Sequence, residues 1–464
     1  MTFLHSLIRC KAHDAEHAHA SLRRVLGAFD LTMLGIGAII GAGIFVLTGV
    51  AAATQAGPAI MLSYLIAGIA CCFSAFAYAE LASSVGGCGS AYSYTYVSLG
   101  ELLAWLIGWD LLLEYGLGTT AVAVGWSGYV VSGLASIGIH IPPALCLSPF
   151  DHGIINLPAM FIIFAVTGLL VLGTKRSARF NSLIVCIKLA VILFFILVAS
   201  FHFKISNWHP FMPFGFHGVV TGAALIFFAF IGFDAVSTAA EETINPQRNL
   251  PIGILTSLGI CTLLYIVASG LLTGIAPLAI LNVSSPVSNA LLNLGLNFAA
   301  GVIAAGAIAG LTTVIIVLFY GLTRIFLSMS RDGLIPGVFS YINPKTQTPT
   351  RVIYISGCIM ALIAGFIPIQ RLAELVNIGT LAAFTLVCLS VIILRRSKPA
   401  MLRPFKTPFS PVIPFCGIAL NLFLMVSLPA LTWVCFVIWA LIGLTIYFTY
   451  GRRHSMVGKS ENQS

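Results

Sequence analysis

Residues Leu34–Phe45 read Leu-Gly-Ile-Gly-Ala-Ile-Ile-Gly-Ala-Gly-Ile-Phe, with four glycines inside an apolar run from Leu31 to Ala53. The run has the length of a membrane-spanning helix. Each glycine costs up to about 1 kcal/mol in a helix interior and permits backbone conformations that other residues resist. Backbone that opens in a bilayer must be buried in protein or line a watery cavity. The stretch therefore predicts a helix break that forms a binding site; close helix packing through small residues is the alternative.

The composition predicts an all-α integral membrane protein. Of the 464 residues, 59% are hydrophobic and 8% are charged, whereas soluble domains carry about 25% charged residues. A membrane β-barrel would show alternating segments of about 10 residues instead of long apolar blocks. The net charge of +9 does not indicate a nucleic-acid partner, because the basic residues are scattered through short loops.

Twelve apolar runs approach the length needed to cross a bilayer, which is about 20 residues. We therefore predict twelve transmembrane helices, at about residues 29–54, 58–83, 101–134, 155–174, 179–202, 216–240, 250–273, 297–329, 352–368, 373–394, 411–429 and 431–450.

The distribution of basic residues predicts that both termini are cytoplasmic. Cytoplasmic loops of membrane proteins are enriched in Lys and Arg. With twelve spans and the N-terminus inside, the 23 Lys and Arg residues all fall on the cytoplasmic side except Lys204, Arg371 and Lys188, which lies within a span. The short tails are typical of a bacterial inner-membrane protein.

The predicted organisation is a cytoplasmic tail (1–27), a twelve-helix domain (28–450) and a second cytoplasmic tail (451–464). His13, His17 and His19 of the first tail could ligate a metal, but no cysteine or carboxylate scaffold accompanies them, so a solvated tail and no metal are expected. The cysteines lie mostly in apolar runs and predict no disulfide framework.

An internal repeat relates the first and sixth spans. Ile40–Gly43 lies midway in the first span, and Ile231–Asp234 lies midway in the sixth. Because five spans, an odd number, separate them, the two halves, about 28–202 and 216–394, must be inverted relative to each other. The last two helices, 411–450, lie outside the repeat. Inverted repeats with broken helices indicate a transporter whose site lies near the membrane midplane.

Ionisable and polar side chains within the spans are candidates for function, because they are costly in a membrane. Asp110 and Glu114 share a helix face at i and i+4, Asp234 follows the sixth-span break, and Asn377 lies early in the tenth span. Lys188 lies deep in the fifth span. Burial disfavours the charged form of lysine, so Lys188 could bind and release a proton near neutral pH; the alternative is a lysine that extends to the interface.

The two breaks offer complementary backbone groups. At the first, the N–H groups of Gly41, Ala42 and Gly43 and the following half-helix suit a carboxylate. At the sixth, the carbonyl groups of Phe228, Ala229 and Ile231 suit an ammonium group. Known transporters with broken helices use such groups for an amino acid, and by this likeness the site suits an amino acid zwitterion. The predicted substrate-binding residues are Ile40, Gly41, Ala42, Gly43, Ile44, Phe228, Ala229, Ile231, Phe233 and Leu311.

Three further stretches, together with the glycine-rich first span, carry a family resemblance. They are Phe228–Asp234, Glu241–Pro251 and Met329–Pro336. Over about residues 22–450 the chain resembles the amino acid–polyamine–organocation superfamily, and is most similar to bacterial members of the cationic amino acid transporter family.

The resemblance implies a LeuT-type fold, with ten helices in a 5+5 inverted repeat plus two peripheral C-terminal helices. It also implies proton-driven amino acid uptake, with Lys188 in the place that a sodium ion takes in relatives. Glu114, on the neighbouring third span, is a candidate to tune the lysine or to receive its proton. Many members carry Thr or Ser where this chain has Ala42, so a hydroxyl contact to the carboxylate is not expected here. No cofactor other than the coupling proton is expected.

The apolar residues near the predicted pocket, including Phe233 and Leu311, favour small or medium neutral amino acids such as alanine. A cationic amino acid (arginine or lysine) transporter or exchanger remains an alternative, since Asp234 or Glu114 could reach the pocket. An amino acid sensor on the same scaffold is another. The chain lacks the metalloprotease and P-loop motifs, so we do not expect an enzyme. The expected partners are the amino acid and the lipid bilayer, and an obligate protein partner is left open.

Overall fold

The computed structural model describes residues 9–10, 25–85, 90–136, 138–172, 178–343, 346 and 348–457. Within these ranges the chain is helical, and the only β-type pairing is an isolated parallel bridge between Leu26 and Thr243. The predicted tail residues His13, His17 and His19, and the last residues of the C-terminal tail, lie outside the described ranges.

Most of the α-helices are long, and 3₁₀ or π-helical turns lie in several of the connections between them. In chain order they are α1 (Ala28–Ile39), α2 (Thr48–Ala51), α3 (Ile60–Ser84), α4 (Ser90–Ser98), α5 (Glu101–Ser136), α6 (Leu157–Val171), α7 (Ala178–Ser200), α8 (Gly215–Ile226), α9 (Pro246–Ile275), α10 (Pro286–Asn293), α11 (Asn297–Arg331), α12 (Thr350–Phe366), α13 (Ile369–Ser397), α14 (Val412–Val426), α15 (Ala430–Ile446) and α16 (Arg452–His454).

Local sequence signals explain several helix starts. Asp30 accepts a hydrogen bond from the N–H of Gly27, 3.0 Å away, at the start of α1. Asn156 precedes α6 and accepts the N–H of Ala159 at 3.1 Å. Helix α9 begins at Pro246. Side-chain caps accept hydrogen bonds from N–H groups of the first helical turn, which have no acceptor within the helix. Proline fits this turn because its lack of an N–H group removes no helical hydrogen bond there.

In the part of the chain that the structure describes, six helical segments are long and apolar enough to cross a membrane by length and composition. They are Gly43–Ser84, Gly215–Ala240, Pro246–Ile275, Asn297–Arg331, Ile369–Ser397 and Ala430–His454. Shorter apolar helices lie in further predicted runs, among them Leu157–Val171 and Thr350–Phe366. The structure thus confirms an all-helical protein with several apolar helices. The number of twelve spans, the inverted repeat, the domain limits and the orientation of the termini stay predictions.

Both predicted helix breaks are present. Helix α1 ends at Ile39, Ile40 is extended (φ −72°, ψ 102°), and a π-helical turn resumes at Gly43. In the second break, a 3₁₀ turn ends at Phe230 and Ile231 is extended (φ −60°, ψ 133°). Gly232 then has φ +114°. Only glycine adopts that conformation readily, so Gly232 is required for the turn into the next 3₁₀ segment, Asp234–Glu242.

The two breaks pack directly against each other. A Cβ atom at Gly43 would overlap the backbone of Ala229, and one at Gly232 would lie 3.0 Å from the carbonyl carbon and oxygen of Ala38. At the start of α1, the N–H groups of Val25 and Leu26 both donate to the carbonyl of Glu242, at 2.9 and 3.0 Å. The first half-helix and the segment after the second break therefore form one packed unit.

The last two long helices attach to the side of this core. Helix α14 packs on α13 and α3, where Asn421 donates to Ser74 at 3.1 Å. Helix α15 is joined to α5 by tryptophans: Trp109 and Trp439 stack with ring centroids 4.4 Å apart, and the indole N–H of each donates to the carbonyl of the other.

A buried ion pair holds the loop before α14 against α3. The carboxylate of Glu80, whose side chain is 2% exposed, accepts two hydrogen bonds from Arg395 at 2.9 and 2.7 Å. It also lies 3.6 Å from Arg403 and accepts the N–H of Thr407 at 2.7 Å.

We expect Arg395→Ala to destabilise the protein, because it removes one partner of a buried carboxylate. Such losses cost about 3–5 kcal/mol, and the partial exposure of Arg395 together with the remaining Arg403 reduces the expected cost to roughly 1–3 kcal/mol. Thermal unfolding of the purified protein in detergent measures the effect. The control is Arg324→Ala, whose ion pair with Glu242 is 3.7 Å long and about one-third exposed, and whose expected cost is at most about 1 kcal/mol. Equal effects of the two substitutions would show that burial of Glu80 adds nothing to the strength of its ion pair.

Candidate functional site

The first break leaves a set of backbone N–H groups without a backbone acceptor among the described residues. The N–H groups of Gly41, Ala42 and Gly43 donate to no backbone carbonyl of the described residues. They precede the π-helical turn Gly43–Leu47, at the N-terminal end of the second half of the span. Unpaired N–H groups at such an end, together with the helix dipole, favour a negatively charged group. The predicted carboxylate site therefore has the required donors.

The carbonyl groups of the first break are satisfied by side chains from other helices. The ammonium of Lys188 on α7 donates to the carbonyl of Gly37 at 2.8 Å and of Ile40 at 3.2 Å. The hydroxyl of Tyr265 on α9 donates to the carbonyl of Ile39 at 2.9 Å. Each bond replaces a helical one that the break removes, and so each of these side chains contributes to the stability of the break.

Lys188 is deeply buried, as predicted, with 1% of its surface exposed. Its stem packs against Gly310 of α11, where an added Cβ would lie 3.2 Å from the lysine Cε. Among the described residues no carboxylate lies within ion-pair distance of its ammonium, and its hydrogen-bond partners are the two carbonyl groups of the first break. The structure thus links the charge of Lys188 to the position of α1.

The carbonyl groups of the second break differ in whether they already accept a hydrogen bond. The carbonyl of Ala229 accepts the hydroxyl of Tyr265 at 3.1 Å, and that of Phe228 accepts the N–H of Ile231 at 3.3 Å. The carbonyl of Ile231 receives no hydrogen bond from the residues described. Asn377 on α13 donates to the carbonyls of Ala224 and Leu225, both at 2.8 Å, and so holds the end of α8.

The predicted apolar residues occupy three different places. Ile44 lines a small apolar cavity between the first span, α7, α9 and α10. The other lining residues are Phe45, Thr48, Ile192, Phe195, Ala268, Leu272 and Val287. Leu311 is fully buried on α11, one turn before Val314, which faces Gly41. Phe233 packs on Tyr78 and Phe384, with ring centroids 5.6 and 5.0 Å away.

Three buried carboxyl groups form an acidic cluster that begins at Asp234, just after the second break. Asp110, Glu114 and Asp234 are 7%, 2% and 1% exposed, and Glu114 is close enough to interact electrostatically with both others. Asp234 accepts the hydroxyl of Tyr115 at 3.3 Å. Both oxygens of Asp110 and one oxygen each of Glu114 and Asp234 have no hydrogen-bond partner among the described residues, and the hydroxyl of Tyr78 also lacks one there. Because like charges repel each other, charge on one of these buried groups raises the energetic cost of charge on its neighbours.

Sequence reasoning missed two tyrosines whose hydroxyl groups bond to backbone carbonyls near the breaks. Tyr64 and Tyr265 lie within predicted spans and place their hydroxyls on break carbonyls: Tyr64 reaches Gly43 at 3.3 Å, and Tyr265 reaches Ile39 and Ala229. A tyrosine in the middle of an apolar run carries a polar group that needs a partner. That signal was present in the sequence, but it does not say which partner the hydroxyl finds.

The family model described as "Amino acid permease" matches residues 26–452 of the chain. The chain belongs to the amino acid permease family. This confirms the resemblance to the amino acid–polyamine–organocation superfamily. It also makes the protein a multi-pass membrane transporter and not an enzyme.

Several curated relatives match this permease over almost its full length. It is 51% identical over 448 residues to the "Methylthioribose transporter" of Bacillus subtilis (strain 168), with 96% of this chain and 97% of the relative covered. It is 52% identical over 450 residues to the "Branched-chain amino acid permease BcaP" of the same strain, with the same coverage. It is 38% identical over 409 residues to "Cationic amino acid transporter 4, vacuolar" of Arabidopsis thaliana, with 85% of this chain and 68% of the relative covered.

We expect Gly43→Ala to abolish uptake by this permease, because the new Cβ would collide with the Ala229 backbone and push the two breaks apart. The matched control is Gly168→Ala on α6, outside the predicted site, whose Cβ would meet no described atom within 4 Å. Uptake of labelled amino acids by cells that express equal amounts of each variant measures the effect. If Gly43→Ala transports as well as Gly168→Ala, contact between the breaks is not needed for transport.

Proposed function

We propose that the permease is a proton-coupled symporter of small or medium neutral L-amino acids in the inner membrane of a bacterium. It works by alternating access, with twelve spans, the inverted repeat and both termini in the cytoplasm. The observation that carries the proposal is the pairing of free N–H groups at Gly41–Gly43 with the adjacent second break, whose Ile231 carbonyl receives no hydrogen bond from the described residues. Donors for a carboxylate and an acceptor for an ammonium group then lie on two backbones in contact.

In this proposal the substrate is held by backbone groups at both ends. Its carboxylate accepts the N–H groups of Gly41, Ala42 and Gly43, and its ammonium group donates to the carbonyl of Ile231 and to that of Ala229. Charge-assisted hydrogen bonds offset the energetic cost of burying both charged groups. Backbone recognition of the groups common to all amino acids leaves the side chain to decide specificity.

The surroundings favour a neutral apolar side chain. Leu311, Val314 and Ile44 are buried apolar residues beside the first break. A cationic side chain there would lack a partner, which costs several kcal/mol. Asp234 is the nearest acidic candidate at the second break, and it is bonded to Tyr115. The name of the relative BcaP agrees with this class, and so we extend the proposal from alanine to branched-chain amino acids.

A thermal-shift screen of the twenty amino acids tests the substrate class, because a ligand that binds the folded state raises apparent stability. We expect stabilisation by L-alanine or by branched-chain amino acids, and little by L-arginine. Methylthioribose is an additional compound for the screen, since one relative of similar identity carries that name. Stabilisation by methylthioribose alone would contradict the proposal. So would an uptake assay in which excess L-arginine inhibits the uptake of labelled L-alanine as strongly as unlabelled L-alanine does. Counterflow in liposomes separates a transporter from a sensor, which would bind without exchanging label.

We further propose that Lys188 carries the coupling proton. In its charged form, the ammonium holds α7 to the carbonyl groups of Gly37 and Ile40. Loss of the proton toward the cytoplasm weakens both contacts, because a neutral amine is a poorer donor. Helix α1 can then move and open the site to the cytoplasm. Glu114, within the acidic cluster of Asp110 and Asp234, is the proposed partner that tunes or receives the proton.

Lys188→Ala should therefore lose accumulation of substrate driven by an imposed pH gradient. Binding should weaken less, because the lysine does not contact the substrate in this proposal, and counterflow should persist. Lys204→Ala, which removes a lysine outside the helices, is the control and should accumulate substrate normally. Proteoliposomes with an imposed pH or sodium gradient measure both variants. The proposal fails if pH-driven accumulation survives in Lys188→Ala, or if wild-type uptake follows sodium and ignores protons.

A further inference from the structure

One hydroxyl group joins the two breaks. The Tyr265 side chain is fully buried, and its oxygen lies 2.9 Å from the carbonyl oxygen of Ile39 and 3.1 Å from that of Ala229. A tyrosine hydroxyl has a single hydrogen to donate. A stronger hydrogen bond from Tyr265 to one carbonyl group therefore weakens its bond to the other.

The two carbonyl groups that accept the Tyr265 hydroxyl belong to segments with different roles in the proposed transport cycle. Ile39 is the last residue of α1, the half-helix that Lys188 also holds. Ala229 lies in the 3₁₀ turn that begins the second break and is a proposed ligand of the substrate ammonium group. Tyr265 thus lies between the half-helix that opens the site and the backbone that receives the substrate.

The ring of Tyr265 has little freedom to move. Its centroid lies 5.3 Å from that of Tyr64 and 5.5 Å from that of Phe230, and all three side chains are fully buried. Helix α9, which carries it, packs along both α1 and α3. A change in its hydrogen bonding therefore requires only a turn of the hydroxyl.

We propose that Tyr265 is a positioning residue that reports substrate occupancy to α1. In the empty site, the hydroxyl is shared, because a buried carbonyl without a donor is costly. When a substrate ammonium group donates to Ala229, that carbonyl no longer needs the hydroxyl, which turns fully to Ile39 and holds α1 closed. This inference rests on the proposed function for the ammonium group at Ala229, and it does not depend on proton coupling.

Tyr265→Phe tests the inference, because it keeps the buried ring and removes only the hydroxyl. The matched control is Tyr64→Phe. The hydroxyl of Tyr64 contacts Gly43 at 3.3 Å and Thr48 at 2.6 Å, and Thr48 itself donates to Gly43 at 3.1 Å, so that carbonyl keeps a donor in the control. The probes are L-alanine and, in parallel, L-valine, with uptake rates in proteoliposomes and binding by thermal-shift titration.

We expect Tyr265→Phe to lower kcat by roughly three- to tenfold, the worth of one hydrogen bond, and to change the binding constant by less than about threefold. Tyr64→Phe should keep kcat within about twofold of wild type. In hydrogen exchange, either probe should slow the exchange of the α1 amides in the wild type and in Tyr64→Phe, but not in Tyr265→Phe. A residue that only stabilises the fold would not produce this separation of kcat from binding.

The inference is overturned if Tyr265→Phe transports with wild-type kcat, or if it loses binding and kcat together. It is also overturned if a probe that binds the wild-type protein leaves α1 exchange unchanged, a test that needs no variant. The proposed function fails separately, if no amino acid binds or exchanges in the wild type. An amino acid that is transported normally by both tyrosine variants would leave the proposed function intact and remove only the role of Tyr265.

Discussion

Backbone carbonyl groups that lose their helical partners deep inside an apolar protein must find other donors, and the core of this permease depends on that constraint. The break after Ile39 frees carbonyls that no lipid can satisfy. Lys188 and Tyr265, from two different helices, donate to them. Since each donor is held by its own helix, the break fixes where α7 and α9 must lie. The same bonds make the break responsive, because a change in either donor alters the stability of α1.

Close approach of the two breaks is the second requirement, and small residues make it possible. Gly43 and Gly232 each place backbone against backbone where a side chain would intrude. Contact of this kind brings N–H groups of one break beside carbonyl groups of the other, so a ligand with two charged ends can be held without any charged side chain. In the proposed function, such a site recognises the two groups common to all amino acids and leaves selectivity to the residues around the substrate side chain.

The acidic cluster beside the second break gives the site a further electrostatic property. Asp110 and Glu114 project from α5, and Asp234 starts the segment that follows Gly232. All three are buried, and several of their oxygen atoms have no hydrogen-bond partner among the described residues, so a change in the charge of Asp234 acts directly on that segment. Lys188 and the cluster lie on different helices around the paired breaks, α7 for the lysine and α5 for two of the acids. The lysine contacts the first break and Asp234 lies just after the second, so the charged groups lie on both sides of the contact between the breaks.

Local sequence was enough to predict the helical membrane class, the position of both breaks and the burial of Lys188, because hydropathy and glycine content are properties of a single run. It did not reveal which donors satisfy the break carbonyls. It assigned Phe228, Ala229 and Ile231 alike to the substrate, whereas the structure gives Ala229 a bond from Tyr265. Tyr265 lies 226 residues from Ile39 along the chain, and only the packing of separate helices brings such pairs together. The hydrogen-bond network of the site therefore depends on tertiary packing, since bonds between distant residues leave no periodic trace in the sequence.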